Sequence, residues 1–391
     1  MSIWLTMSNY RKCKVFLRID EMARMLKNRF VLLAGLLVLC FMQYSIAAEG
    51  SSQRLVSPKL LEHANLKILW ETKLPIKKTE SLVGLRMLGN NIYVKSTHNY
   101  IVFLNRENGK MVFGGANLPD GLPTTGMQLY GDELNATIGT KLVEINPNLG
   151  TVIRIFDVGF ASSCPAARNS SYFYLGGADN RLHALRAEDR VQIFEVAADN
   201  DSMITSILAH DISVIFGTDA GNVVSIAPDR PRKLWQFDAA GGIAGPIVRD
   251  GMSLFFASKD TNVYRVDMVG LPLKRQLIWK YQTAGVLDRE PRVTQQVVYQ
   301  NVPGKGLTAI DKQSGQFMWS VPGGVDLLAE ANGRAYVITQ DSKLVVMDNR
   351  NAKKLYSVNF AEVTRHSANT TDSKIYIADE HGRIACLQPV K

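Results

Sequence analysis

The chain has 391 residues, 46% hydrophobic and 21% charged, with 30 Gly, 14 Pro and four Cys, proportions that exclude a collagen-like repeat, a disordered tail and a disulfide-stapled miniprotein. The net charge of +9 is placed unevenly: residues 1–48 hold seven bases (Arg11, Lys12, Lys14, Arg18, Arg24, Lys27, Arg29) and two acids (Asp20, Glu21), leaving 38 bases against 34 acids in the rest. Beyond residue 48 the longest basic runs are pairs such as Lys77-Lys78 and Lys353-Lys354, and a phosphate-tracking surface needs clustered cations, so no nucleic-acid partner is expected.

The basic stretch ends at Arg29, and Phe30 to Met42 then runs without a charge before Gln43-Tyr44-Ser45-Ile46-Ala47-Ala48. A positive region, a short apolar core and small residues before a polar start have the layout of a signal peptide over residues 1–48, with Met22 or Met25 as alternative starts. The core is shorter than the roughly 20 apolar residues of a bilayer span, so cleavage near Ala48 is expected over the alternative of an uncleaved anchor. Leu39 stands before Cys40, where lipidation would call for a small residue. Residues 49–65 read as a linker. In the mature chain Cys164 and Cys386 are expected to be buried small hydrophobes rather than a disulfide.

From about residue 82 one pattern recurs: short apolar or β-branched strands cut by Gly, Asn, Asp and Ser turns too often for an amphipathic helix. Its second-strand position falls at Tyr93, Asn135, Tyr174, Ile215, Phe255, Tyr299, Tyr336 and Tyr376, spaced by 37 to 44 residues. The end of its third strand recurs independently at Asn105, Asn146, Arg186, Ala227, Asp267, Asp311, Asp348 and Gln388. Two registers that drift together mark true repeats. Asp250-Gly251 and Asn332-Gly333 are hairpin turns, and Glu107-Asn108-Gly109 and Gln313-Ser314-Gly315 place Gly where a left-handed residue is needed.

A four-stranded unit of about 40 residues cannot bury both faces alone, and a closed ring of such units leaves few exposed edges. The expected fold is therefore all-β: an eight-bladed β-propeller of four-stranded antiparallel blades over residues 66–391. Phe113, Phe194, Trp235, Trp319 and Tyr356 lie eight positions after the third-strand end, Trp279 follows a four-residue insertion, and Arg154 is the exception. The eighth repeat stops after its third strand, while Leu66-Lys67-Ile68-Leu69-Trp70 supplies a strand upstream of the first. This N-terminal strand is expected to close the last blade. Trp70, Phe113, Phe194, Trp235, Trp279, Trp319 and Tyr356 are accordingly assigned to packing blade against blade rather than to a ligand groove.

At Ala309-Ile310-Asp311-Lys312-Gln313-Ser314-Gly315-Gln316-Phe317-Met318-Trp319 the chain resembles the A-x-D-x-x-[ST]-G-x-x-x-W repeat of the PQQ-like, quinoprotein-type β-propeller family. Val346-Met347-Asp348 with Tyr356, and Leu104-Asn105 with Gly109 and Phe113, are degenerate copies. An exported eight-bladed chain without an appended domain is similar in architecture to the propeller subunit of the outer-membrane β-barrel assembly machinery. The resemblance implies a cell-envelope scaffold, monomeric within a complex. Its partners would be envelope proteins, the assembly machinery itself or nascent outer-membrane proteins, met by edge strands or loops.

The other branch of the resemblance implies a propeller that binds PQQ or another small ligand, including a quinoprotein dehydrogenase-like enzyme. Many enzymes of that branch carry a vicinal Cys-Cys pair and long insertions, and this sequence has neither. His63, His98, His183, His210, His366 and His381 lack metal-ligand spacing and read as surface or turn residues. Ser162-Ser163-Cys164 lacks a nucleophile elbow, and Asp199-Asn200-Asp201 reads as an acidic loop rather than a calcium site. No catalytic, cofactor-binding or metal-ligating residue, no cofactor and no enzymatic activity are therefore expected.

Overall fold

The computed structural model describes residues 54–98, 100–115 and 124–390. The leader expected over 1–48 lies outside the described residues. Among those described, 32 strands form eight antiparallel four-stranded sheets, arranged as the eight-bladed β-propeller anticipated from the repeats. Blades 1 to 7 follow the chain in order from Leu82–Leu88 to Lys353–Asn359. Blade 8 takes Arg365–Ser367, Ile375–Ala378 and Arg383–Pro389 from the C-terminal end and Leu66–Lys73 from the N-terminal end. Leu66 pairs with Pro389 and Lys73 with Arg383. Both ends of the ring are thus sewn into one sheet.

Tyr93, Asn135, Tyr174, Ile215, Phe255, Tyr299, Tyr336 and Tyr376 all fall on second strands. Middle strands such as Val214–Thr218 and Asn222–Ile226 are buried throughout, because neighbouring blades cover both their faces. Their sequences accordingly read as continuous apolar runs instead of alternating. The core is a series of layers between blades: Val297, Tyr299 and Trp319 of blade 6 pack with Leu327, Val337 and Met347 of blade 7. First strands meet around the axis, where Met87 N donates to Ser367 Oγ at 3.0 Å and Arg365 Nε to the Leu82 carbonyl at 3.0 Å.

The linker expected over 49–65 needs correction in its described part. The compact unit begins at Leu55, and Pro58–His63 forms a short helix, α1, with proline at its start, where a missing N–H costs nothing. Leu55, Val56, Leu61 and Ala64 are buried with Tyr336 and Phe360 of blade 7 and Ile375 and Leu387 of blade 8. The segment therefore fills the seam beside the closing blade. Among the described residues no helix is long and apolar enough to cross a membrane.

Candidate functional site

The repeat motif is best understood from its cleanest copy. Asp311 ends the third strand of blade 6, and its Oδ1 accepts from Gln313 N at 3.1 Å, Ser314 N at 2.7 Å and Ser314 Oγ at 2.7 Å. These donors, the Ser314 backbone first, hold the carboxyl below its ordinary range. Asn105, Asn146 and Asp348 cap the same turn in blades 1, 2 and 7. The tightened turn brings Gly315, at φ +73°, against the indole of Trp279 from the preceding blade. Trp279 Nε1 then donates to the Lys312 carbonyl at 3.0 Å. Across the closing seam Trp70 repeats this, lying on Gly109 and donating to the Arg106 carbonyl at 3.0 Å.

The seven aromatics assigned from the sequence occupy one place, opposite the third strand of their own blade. Trp70 pairs with Cys386, Phe113 with Phe103, Phe194 with Ala184, Trp235 with Ser225, Trp279 with Arg265, Trp319 with Ala309 and Tyr356 with Val346. Phe113 lies on Gly150 of blade 2, Trp319 Nε1 reaches Asn349 Oδ1 of blade 7 at 3.1 Å, and Tyr356 OH accepts from Asn65 Nδ2 at 3.1 Å. Trp235 Nε1 is buried without an acceptor; the turn in blade 5 that would meet it carries the four-residue insertion.

A bulge accompanies every one of these positions. Ala309 faces Trp319 whereas Ile310 faces Phe317, leaving Met318 as an extra residue. The same slip occurs in the outer strand of all eight blades. Such an extra residue bends the strand and increases its twist, which turns the following side chain toward the next blade.

Between blades 2 and 3 the arrangement changes. Arg190, at φ +68°, stands where the turns of blades 1, 2 and 6 carry Gly, and Arg154 stands at the aromatic position opposite Glu144. Arg190 is buried, its Nε donates to Glu144 Oε1 at 2.8 Å, and its guanidinium lies 4.7 Å from the Phe173 ring centroid. Arg168 pairs with Glu133 and lies over Tyr130 and Phe173, 4.9 Å from each centroid. An ion pair and cation–π contacts thus replace the ring-on-glycine joint at this seam.

The central channel holds a second charged group. Arg292 of blade 6 grips Asp326 of blade 7 with two bonds of 3.0 and 2.9 Å and reaches Glu290 at 2.5 Å, while His366 of blade 8 lies 3.4 Å from Asp326. Burial pushes the Asp326 carboxyl up, but the His366 hydrogen bond and Arg292 outweigh it and hold the carboxyl far below the ordinary range. A depressed carboxylate stabilises the fold above its unfolded pKa, here 3.8, and loses that contribution as the pH falls toward the lower folded value. Asp326→Asn should therefore destabilise the protein at neutral pH and cost progressively less below about pH 4, read by chemical denaturation across an acid series. A constant cost down to pH 2 would disprove the linkage.

The cysteine, serine and Asp199 candidates from the sequence meet ordinary structural partners. Cys164 and Cys386 are buried and unpaired, and burial pushes their thiols up to about 11 and about 12. Ser162 Oγ donates to the Cys164 carbonyl at 2.8 Å and Ser163 Oγ to the Ile204 carbonyl at 2.8 Å. Asp199–Asp201 forms a short 3-10 turn, with Asp199 3.3 Å from Lys233 Nζ. His183 departs from the surface or turn placement expected of it. It lies inside the strand Arg181–Arg186, buried, stacked on Phe160 at 4.0 Å and 3.0 Å from Asp179.

What stays open is the rim. The fourth strand ends every sheet, so its outward backbone groups have no partner strand. Several rims open with lysine, as in Lys274–Gln282 and Lys353–Asn359, a placement that discourages edge pairing. The rim of blade 2, Val152–Asp157, has no lysine and exposes Ile153 (59%) and Ile155 (50%), more than Leu277 (42%) and Ile278 (38%) on the blade 5 rim, and the rim of blade 3, Gln192–Ala197, exposes Ile193, beside Leu149 (67%) and Val191 (51%). Arg154 between them donates to the Glu188 carbonyl of blade 3 at 3.4 Å. Beyond its bulge at Ile153, the unpaired stretch Arg154–Asp157 flanked by large apolar side chains can accept an extended strand. Position-by-position reading of the sequence missed this surface, although its signal was present as the lysine-free run Val152-Ile153-Arg154-Ile155-Phe156.

The fold is an eight-bladed β-propeller whose joints are built by a repeat that resembles that of the PQQ-like propellers. Residues 271–390 match the family described as outer membrane protein assembly factor BamB, and the ring is similar in architecture to BamB. BamB from Moraxella catarrhalis superposes with a TM-score of 0.63 at 12% identity, covering 83% of this chain and 97% of that one. The computationally designed Ika8 protein gives 0.62 at 13%, covering 82% and 99%. The Cps50 (Swd1) propeller domain of Myceliophteria thermophila gives 0.53 at 13%, covering 82% and 100%. No curated protein matches the sequence.

Proposed function

We propose that this chain is a non-catalytic, exported scaffold of the cell envelope that binds an extended strand of a partner protein along the rim of blades 2 and 3. The observation that carries the proposal is the open Val152–Asp157 edge with its exposed Ile153 and Ile155. Backbone bonds along such an edge give affinity for any extended chain, and the flanking apolar residues select one that is alternately apolar, as barrel strands are. The family matched over residues 271–390 is described as an assembly factor for outer membrane proteins, which supports nascent barrel strands or the assembly machinery as the partner. A non-catalytic role is supported in the channel, where Arg292, Asp326, Glu290 and His366 are engaged with one another.

The test is fluorescence anisotropy with a labelled ten-residue peptide of alternating apolar and polar residues. The full chain should bind it saturably, and Ile153→Lys with Ile155→Lys should weaken binding at least tenfold. Phe317→Lys on the rim of blade 6 should leave it unchanged. Equal binding by all three proteins would move the strand site elsewhere and defeat the proposal.

A further inference from the structure

On the face formed by the turns between first and second strands lies a cleft of about 690 Å³, bounded by blades 6, 7 and 8. Its volume is that of a small-ligand site, but its walls are unusual for one, because hydroxyl, amide and charged side chains dominate them. Thr294 comes from blade 6, Glu330, Asn332, Asn349 and Arg350 from blade 7, and Thr371 from blade 8.

The floor is set in advance by a chain of hydrogen bonds. Trp319 Nε1 donates to Asn349 Oδ1 at 3.1 Å, Asn349 Nδ2 to Tyr299 OH at 2.8 Å, and Tyr299 OH to Glu330 Oε2 at 2.6 Å. Thr294 Oγ1 donates to the same Glu330 oxygen at 2.7 Å. Both bonds hold one carboxylate oxygen and leave Oε1 as an acceptor for something in the cleft. The Arg350 backbone N–H is used by Asp348 Oδ1, and its guanidinium remains on the cleft wall as a planar donor.

We propose that this cleft is a binding site for a short glycan. Each sugar hydroxyl is at once donor and acceptor, and vicinal pairs match planar groups such as a carboxylate, an amide and a guanidinium. Met318 and Val297 offer only a small apolar patch for a sugar's C–H face. Other ligand classes fit less well. A lipid tail would leave the polar walls unpaired, an isolated phosphate would meet the Glu330 carboxylate as well as Arg350, and an extended peptide finds turns here instead of an open strand edge. The site shares no residue with the rim of blades 2 and 3, so it stands or falls independently of the scaffold reading.

Saturation-transfer difference NMR on the full chain, with N,N′-diacetylchitobiose and maltotriose as probes, tests the site and separates an amino-sugar strand from a neutral glucan. Saturable binding of either is expected, weakened at least tenfold by Arg350→Ala and by Glu330→Gln at unchanged thermal stability. The Arg350 variant keeps the test decisive if Glu330→Gln unfolds, because only its backbone is bonded within the protein. Lack of saturable transfer from both sugars, or binding unaffected by both substitutions, would overturn the proposal.

Discussion

Gly315→Ala should lower stability by about 2 to 5 kcal/mol although it adds a single methyl group. The residue sits at φ +73°, and a Cβ there would stand 2.6 Å from Trp279 Cγ. Left-handed backbone costs an alanine roughly 1 to 2 kcal/mol. Forcing an extra carbon into a packed joint adds about 1 to 3 kcal/mol. Gly251→Ala separates the two contributions. Gly251 has φ +60° but nothing within 4 Å of its would-be Cβ, so that variant should lose only the backbone part. Urea unfolding of the pair should place Gly315→Ala clearly below Gly251→Ala. Coincident midpoints would mean that Trp279 moves aside freely and that the ring-on-glycine joint does not hold neighbouring blades together.

Glu144→Ala should be comparably damaging, at about 3 to 5 kcal/mol, because it leaves the buried Arg190 guanidinium without its counter-ion. Removing Glu195 from its exposed pair with Arg181 should cost under about 1 kcal/mol. The comparison of seams yields a sharper expectation. At three other seams an aromatic of one blade rests on a glycine of the next, as Trp70 does on Gly109, Phe113 on Gly150 and Trp279 on Gly315; here Arg154 and Arg190 occupy both places. The triple variant Arg154→Trp, Arg190→Gly, Glu144→Ala rebuilds the ordinary joint and should recover most of the stability that Glu144→Ala alone loses. Buried ion pairs are often replaceable by packed apolar groups without net loss. Thermal unfolding of the single and triple variants would decide it. A triple variant no more stable than Glu144→Ala would show that this seam is specifically adapted to charge.

The blade count and the closing strand were legible because two positions, on the second strand and at the end of the third, recur at nearly one period. The aromatic positions were legible for the same reason. What they rest on was less so. The bulge before each aromatic leaves no mark in the sequence, since Met318 or Leu69 reads like any other strand residue until the pairing is known. Arg154 stood out as an exception, but its meaning depends on Glu144 across the sheet and Arg190 in the next turn, and only the folded register brings them together. Residues 55–65 lacked strand periodicity and read as a linker, whereas burial against blades 7 and 8 made α1 part of the fold. His183 read as a surface or turn residue because it lacks metal-ligand spacing, and stacking on Phe160 accounts for its burial. The cleft is the least legible feature, because Thr294 and Tyr299 lie in one repeat and Glu330 and Asn349 in the next, and nothing in either repeat marks them as facing one another.

The sheet shared by the two chain ends also sets a timetable. Leu66 is made about 320 residues before its partner Pro389. Until then Leu66–Lys73 is a strand without a sheet, and the ring stays open however well the earlier blades have formed. Closing a loop of that length costs about 5 kcal/mol in chain entropy by the logarithmic law, so the layered blades must first shorten the distance to be crossed. Closure of the ring is therefore a meeting of parts made far apart in time, and a chain that stops before Arg383 would leave Leu66–Lys73 with nothing to clasp.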